Sequence, residues 1–430
     1  MFFLMKKKSE VKIGIVGLWH LGCVYAASMA RLGFEVEGYD QDKQVVADLK
    51  LGKPPVFEPE LEETIKHHLG KNLRFVDSPE EFFKDKKYVF VTYDLPVDEK
   101  DRVSVAPIKK TISLLKRYAS NETIVVVSSQ VLLGTCRNLS KATGMRVVYF
   151  PENVRLGKAF ETFLTPDRII LGSDDAKVLE NFKIDFEAFK CQFIMMGLES
   201  AEMVKHALNS YLATCVSYSS EIADLCELYG ANMNDVVAAL KTDRRVSPFA
   251  PINPGLGFAG ATLGRDIQSL KKLGRGKSYK TKLFEAVYKV NQERLEWLIK
   301  KIKTVTPKMK GVRVGILGLT YKPGTNTLRR SMSLGLATLL KKEGCEIRAY
   351  DPVIKDKVVG YDYIEITKNY DEFFDGLDVV VLMTEWPEFK ELPVRRAGEL
   401  MRKRVMIDTK NFLDRSLFVG NNFVFRGTGW

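Results

Sequence analysis

Three groups of residues have the types and spacing for chemistry. The first is Pro254 to Asp266, P-G-L-G-F-A-G-A-T-L-G-R-D. Its four glycines in thirteen residues argue against a helix or a strand. Glycine tolerates positive φ and close backbone approach, so the stretch is expected to be a loop shaped against a ligand, with a helix only from Asp266 on. The second group is Lys205 and Asn209, four apart in a run from Ser200 to Tyr229 that holds neither Gly nor Pro. That spacing puts both on one helix face. An amphipathic surface helix would give the same pair; the glycine loop elsewhere in the chain favours function. The third is Gly17-Leu18-Trp19-His20-Leu21-Gly22 after the β-branched run from Val11 to Val16, with Asp40 closing the next strand.

The elements around the third group are a β-α-β unit: a strand, a glycine turn, a helix to about Leu32, and a strand from Glu35 to Tyr39. An acid lies roughly 20 residues beyond the turn, the context a dinucleotide fingerprint requires. Gly17, Trp19, Leu21 and Gly22 are the candidates for cradling a pyrophosphate at the helix start. Asp40 can accept from ribose hydroxyls, and would repel a 2′-phosphate, so NAD is expected rather than NADP. The middle glycine of the fingerprint is Trp19, whose side chain would crowd the pyrophosphate or change the turn; a unit that no longer binds a dinucleotide is the alternative. Strands at Tyr88 to Thr92, Thr123 to Val127 and Arg146 to Phe150 continue a doubly wound parallel sheet. Ligands bind at the carboxyl ends of such strands, which points to Asp94, Ser129, Gln130 and Glu152.

The glycine loop resembles the active-site loop of the UDP-glucose/GDP-mannose dehydrogenase family, G-x-G-F-G-G-x-C-[FL]-P-K-D. Gly255, Gly257, Phe258, Gly260 and Asp266 match it. Thr262 stands at the family's nucleophilic cysteine, Arg265 at its lysine, Gly264 at its proline and Ala259 at one glycine. Ala201 to Asn209 is similar to the family's A-E-x-x-K-x-x-x-N segment, and the resemblance implies catalytic roles for Lys205, Asn209 and Asp266: with a water they would supply the base and the cation that hydride transfer from a held alcohol needs. The V-x-T-P, S-T and P-E-F-L-x-E-G motifs are eroded at Leu95, Gln130 and Leu156, while Pro151, Glu152 and Gly157 remain. A second Rossmann-like unit carries Gly318 to Thr325, Tyr350-Asp351-Pro352, Thr384-Glu385-Trp386 and Asp408 to Asn411. These resemble the family's nucleotide-sugar-binding domain, with Asn326 and Thr327 in place of paired acids. Lys322 is the candidate for a nucleotide phosphate contact, and Arg245, Phe258, Gly260, Arg265 and Arg329 for the sugar nucleotide. A solvated charge pair is the other reading of Arg245.

The resemblance implies two Rossmann-like α/β domains, 1–198 and 306–430, joined by an all-α domain, 199–305, that family members use to dimerise. It implies NAD, a nucleotide sugar and a homodimer. Family members oxidise C6 of the sugar twice, the second time through a thioester on the cysteine. A threonine hydroxyl without a dedicated base is a poor nucleophile, so a two-electron oxidation is expected. Redox-neutral epimerisation with held NAD, or cofactor sensing without turnover, are the other readings.

Composition sets outer bounds. With 45% hydrophobic and 28% charged residues, the chain is a globular protein of two or three domains. Its charge of +12 is interleaved with acids, and no nucleic-acid motif accompanies it; an anionic small substrate accounts for local positive charge equally well. The six cysteines have no metal spacing and the four histidines are few, so no metal is expected. No apolar run reaches the roughly 18–20 residues of a membrane span. The N-terminal lysines follow a very short apolar run, the wrong order for a secretory signal, so a cytoplasmic protein is expected.

Overall fold

A computed structural model describes residues 11–95, 106–151, 154, 156–260 and 262–430. They form two compact units, residues 1–207 and 208–430.

The first unit is built on strands β1 (Lys12–Val16), β2 (Glu35–Tyr39), β3 (Leu73–Val76), β4 (Tyr88–Val91), β5 (Ile124–Val127), β6 (Arg146–Tyr149), β7 (Arg168–Gly172) and β8 (Gln192–Met196). They lie in the order β3-β2-β1-β4-β5-β6-β7-β8. The first six are parallel in the doubly wound order. The sheet is not parallel throughout, however: β7 runs antiparallel to β6 and carries β8 with it. Near-continuous apolar strands such as Ile124-Val125-Val126-Val127 are covered on both faces, as a parallel sheet demands. One face packs Tyr25, Phe90, Phe150, Phe182 and Phe186 edge-to-face and stacked. Each such ring contributes about 1.5–3 kcal/mol by burial.

The helix Leu198–Tyr229 begins in this unit and continues into the second. The fully buried Glu202 anchors its start, accepting from the N–H groups of Gly134 (2.5 Å) and Cys136 (2.8 Å). These groups open the helix Thr135–Thr143, where a carboxylate complements the helix dipole. His206 is structural: its Nε2 lies 2.9 Å from the Val131 carbonyl.

The second unit contains a six-stranded parallel sheet, β11-β10-β9-β12-β13-β14. Its strands are β9 (Arg313–Leu317), β10 (Glu346–Tyr350), β11 (Ile364–Ile366), β12 (Val379–Leu382), β13 (Val405–Asp408) and β14 (Val424–Arg426). It repeats the order of the first six strands of the other sheet. Helices Met233–Leu240, Thr262–Arg275 and Lys282–Val305 complete the unit. The last of these packs Leu298, Ile299 and Ile302 into one face of the sheet. A correction concerns the glycine stretch. Thr262 to Asp266 is the first turn of a helix, not loop. Gly264 is buried inside it.

Candidate active site

The two sheets use one turn design. Gly17 (φ +98°) and Gly318 (φ +90°) follow β1 and β9 in the left-handed region open to glycine. Gly17 N–H donates to the Tyr39 carbonyl (3.1 Å), and Gly318 N–H to that of Tyr350 (2.8 Å). The acid ending the neighbouring strand then captures the next amide. Leu18 N–H donates to Asp40 (2.6 Å), and Leu319 N–H to Asp351 (2.7 Å).

In the first unit this turn fits NAD. A Cβ at Gly22 would lie 1.9 Å from the Gly17 carbonyl oxygen, so the helix His20–Arg31 approaches the turn as closely as only glycine permits. Asp40 is partly exposed, leaving carboxylate lone pairs for ribose hydroxyls. Trp19 does not break the turn: its φ of −97° suits any residue, and its side chain stands outward, 49% exposed. Leu21 has its side chain in the core, so its main chain at the helix start is what it can offer. Ser129 is fully buried, with its hydroxyl donating to the Val91 carbonyl (3.3 Å). Sequence reasoning missed Glu58. Its buried carboxylate accepts from Gly157 N–H (2.9 Å) and Ala159 N–H (2.8 Å) and lies 2.8 Å from His20 Nε2. It ties the start of the fingerprint helix to the loop after β6, across separations that no local pattern reveals. Glu152 lies outside the described residues. Lys205 is buried, one turn before Asn209 on the long helix.

In the second unit, Asn209 Nδ2 donates to the fully buried carboxylate of Asp266. The two catalytic candidates, 57 residues apart, therefore meet. Thr262 is exposed at the first position of the helix that carries Asp266. Leu256, Gly257 and Ala259 of the glycine loop share a cavity of about 180 Å³ with Thr320, Tyr321, Lys322, Ser331 and Lys410. The turn that carries Lys322 is held by Asp351, which also accepts from Thr320 N–H (3.1 Å) and Trp386 Nε1–H (3.3 Å). Lys410 is set by Asp408, whose buried carboxylate accepts from the backbone amides of Lys410 (2.9 Å), Phe412 (2.8 Å) and Leu413 (2.7 Å). Burial pushes the Asp408 pKa up, against those hydrogen bonds.

The other substrate candidates divide. Gly260 (φ +76°) faces the Tyr321 ring, where a Cβ would lie in contact at 3.5 Å. Arg265 is part-buried beside Asp266, and Arg329 is exposed. Arg245 forms a solvated fork with Asp243, donating at 3.0 and 2.8 Å. Phe258 departs from expectation: its ring is buried with Ala213, Ile267 and Val287, so packing occupies the side chain and only its main chain is left for a ligand.

Comparison with known proteins decides the family. Models of the UDP-glucose/GDP-mannose dehydrogenase family match in order along the chain: its NAD binding domain at residues 11–190, its central domain at 199–293 and its UDP binding domain at 315–415. The chain belongs to this family. It is 29% identical to UDP-glucose 6-dehydrogenase of Rickettsia typhi, over 97% of this chain and 99% of that one. It is 26% identical to the UDP-glucose 6-dehydrogenase TuaD of Bacillus subtilis, over 97% and 93%. Among solved structures, a UDP-glucose dehydrogenase from Pyrobaculum islandicum superposes with a TM-score of 0.89 at 26% identity, covering 98% of each chain. Among the described residues, no helix is long and apolar enough to cross a membrane.

Proposed function

We propose that this chain oxidises UDP-glucose, or a close nucleotide sugar, at C6 by two electrons and releases the aldehyde. It is an NAD-dependent oxidoreductase acting on a nucleotide sugar. The observation that carries the substrate reading is the cavity shared by the glycine loop and the second Rossmann-like turn, with Lys322 and Lys410 on its wall. Two cations beside glycine backbone suit a nucleotide diphosphate. When bound, NAD supplies the hydride acceptor. Lys205 stabilises the alkoxide as it forms, Asn209 orients the reacting oxygen, and Asp266 takes the proton through a water. The alcohol loses a hydride and a proton and leaves as an aldehyde.

Thr262 supports stopping there. The glycine loop holds no thiol, and the six cysteines lie elsewhere in the sequence. Burial raises the thiols of Cys23, Cys136, Cys191 and Cys345, the last to about 11, away from reactive thiolate character. Incubation with NAD and a panel of UDP-, GDP- and dTDP-sugars tests the reading. NADH should form with UDP-glucose or a UDP-hexose near it. Tight NAD binding without NADH from any sugar would contradict it and favour redox-neutral chemistry.

The division into domains 1–198, 199–305 and 306–430 is our own reading, supported by family-model matches at 11–190, 199–293 and 315–415. The homodimer is read from the long helix. Tyr211, Tyr218 and Leu225 recur every seven residues and are 57%, 48% and 50% exposed, with Cys215 and Ile222 between them, part-buried. Such a seam is buried by a second copy of itself in a symmetric pair. Sedimentation should give twice the 48.8 kDa chain mass, and Tyr218→Glu should return it to the single-chain value. A variant that stays paired would contradict the seam. Six free cysteines suit a reducing compartment, the cytoplasm.

A further inference from the structure

We propose that Asn291 is a positioning residue for this reaction, acting through the backbone of the glycine loop. It lies in the middle of the helix Lys282–Val305 and is 9% exposed. Its Oδ1 accepts from Phe258 N–H (2.8 Å) and its Nδ2 donates to the Phe258 carbonyl (3.1 Å). The side-chain amide thus pairs with both main-chain groups of one loop residue, as a neighbouring strand would.

The fit is close. Gly257 has φ +99°, and a Cβ there would lie 2.5 Å from Asn291 Oδ1 and 3.1 Å from Arg294 Cγ. A bare backbone at 257 and a carboxamide at 291 therefore require each other. The Phe258 ring, wedged among Ala213, Ile267 and Val287, fixes the same residue from its side chain. With Phe258 held by ring and backbone, Leu256, Gly257 and Ala259 face the cavity containing Lys322 and Lys410. Thr262 then opens the helix that carries Asp266. No other neutral side chain of this length offers a donor and an acceptor side by side. Aspartate keeps the acceptor but sets a second oxygen against the Phe258 carbonyl.

The proposal rests on the reading that this loop contacts the nucleotide sugar. Its test uses the full chain and two substitutions, Asn291→Leu, which removes both groups, and Asn291→Asp, which removes the donor. Expected is a fall of about tenfold or more in kcat/KM for UDP-glucose. NAD affinity should stay near the parent's, and amide exchange should quicken in the peptide spanning Phe258. A folded variant with kcat/KM within about twofold of the parent overturns the proposal; if Asn291→Leu does not fold, Asn291→Asp decides. If the parent does not turn over UDP-glucose, the functional reading fails and exchange at Phe258 together with UDP affinity decides. Faster exchange with weaker UDP binding supports the role of Asn291, and unchanged exchange or unchanged UDP binding overturns it.

Discussion

Lys205→Met should cut kcat with UDP-glucose by about 10²–10⁴-fold, the range for loss of a positioned proton-transfer or charge-stabilising group. The lysine is buried one turn from Asn209, and Asn209 in turn donates to the buried Asp266. A cation held there serves an oxygen that becomes negative only as the hydride leaves, so its loss falls on kcat more than on KM. Methionine keeps the length and apolar stem of lysine, so the fold should tolerate it. NAD affinity, measured by titration, should change little, because the fingerprint turn is held by its bonds to Tyr39 and Asp40. A kcat within a few-fold of the parent would remove Lys205 from the mechanism.

Thr262→Cys should change the stoichiometry of the reaction. The position is exposed at the start of a helix, where the backbone N–H groups and the dipole favour a thiolate. A cysteine thiol titrates near 8.5, within reach of neutral pH, whereas a threonine hydroxyl does not ionise there. The introduced thiol can add to the aldehyde and form a thiohemiacetal. A second hydride transfer gives a thioester, and water releases the acid. NADH formed per sugar consumed should rise from one toward two, with a uronic acid replacing the aldehyde. A variant that still gives one NADH per sugar would show that the loop has lost more than its nucleophile.

The sequence made the strands and turns legible wherever the signal was local. β1, the glycine turn and β2 follow from β-branched runs broken by glycine and closed by an acid, and the same device marks β9 and β10. The long helix was readable from an unbroken run without Gly or Pro, and the structure extends it two residues earlier, to Leu198. The reversal at β7 was not legible, because strand direction depends on pairing and not on residue type. The helical Gly264 was misread for a related reason: a glycine-rich motif looks like a ligand loop throughout, yet its last residues, from Thr262, form a helical turn. Glu58 and Asn291 escaped notice because each acts on backbone far away, 99 residues from Gly157 and 33 from Phe258. Their partners are N–H and C=O groups that every residue carries. Asn209 and Asp266 were each legible as candidates, but their meeting across 57 residues was not; the hydrogen bond between them comes from the structure.

The central claim, a two-electron oxidation set by Thr262, is tested most directly by counting NADH at 340 nm against UDP-glucose consumed, with an aldehyde trap present. One NADH per sugar and a trapped C6 aldehyde are predicted. Two NADH per sugar with a uronic acid product would contradict the account.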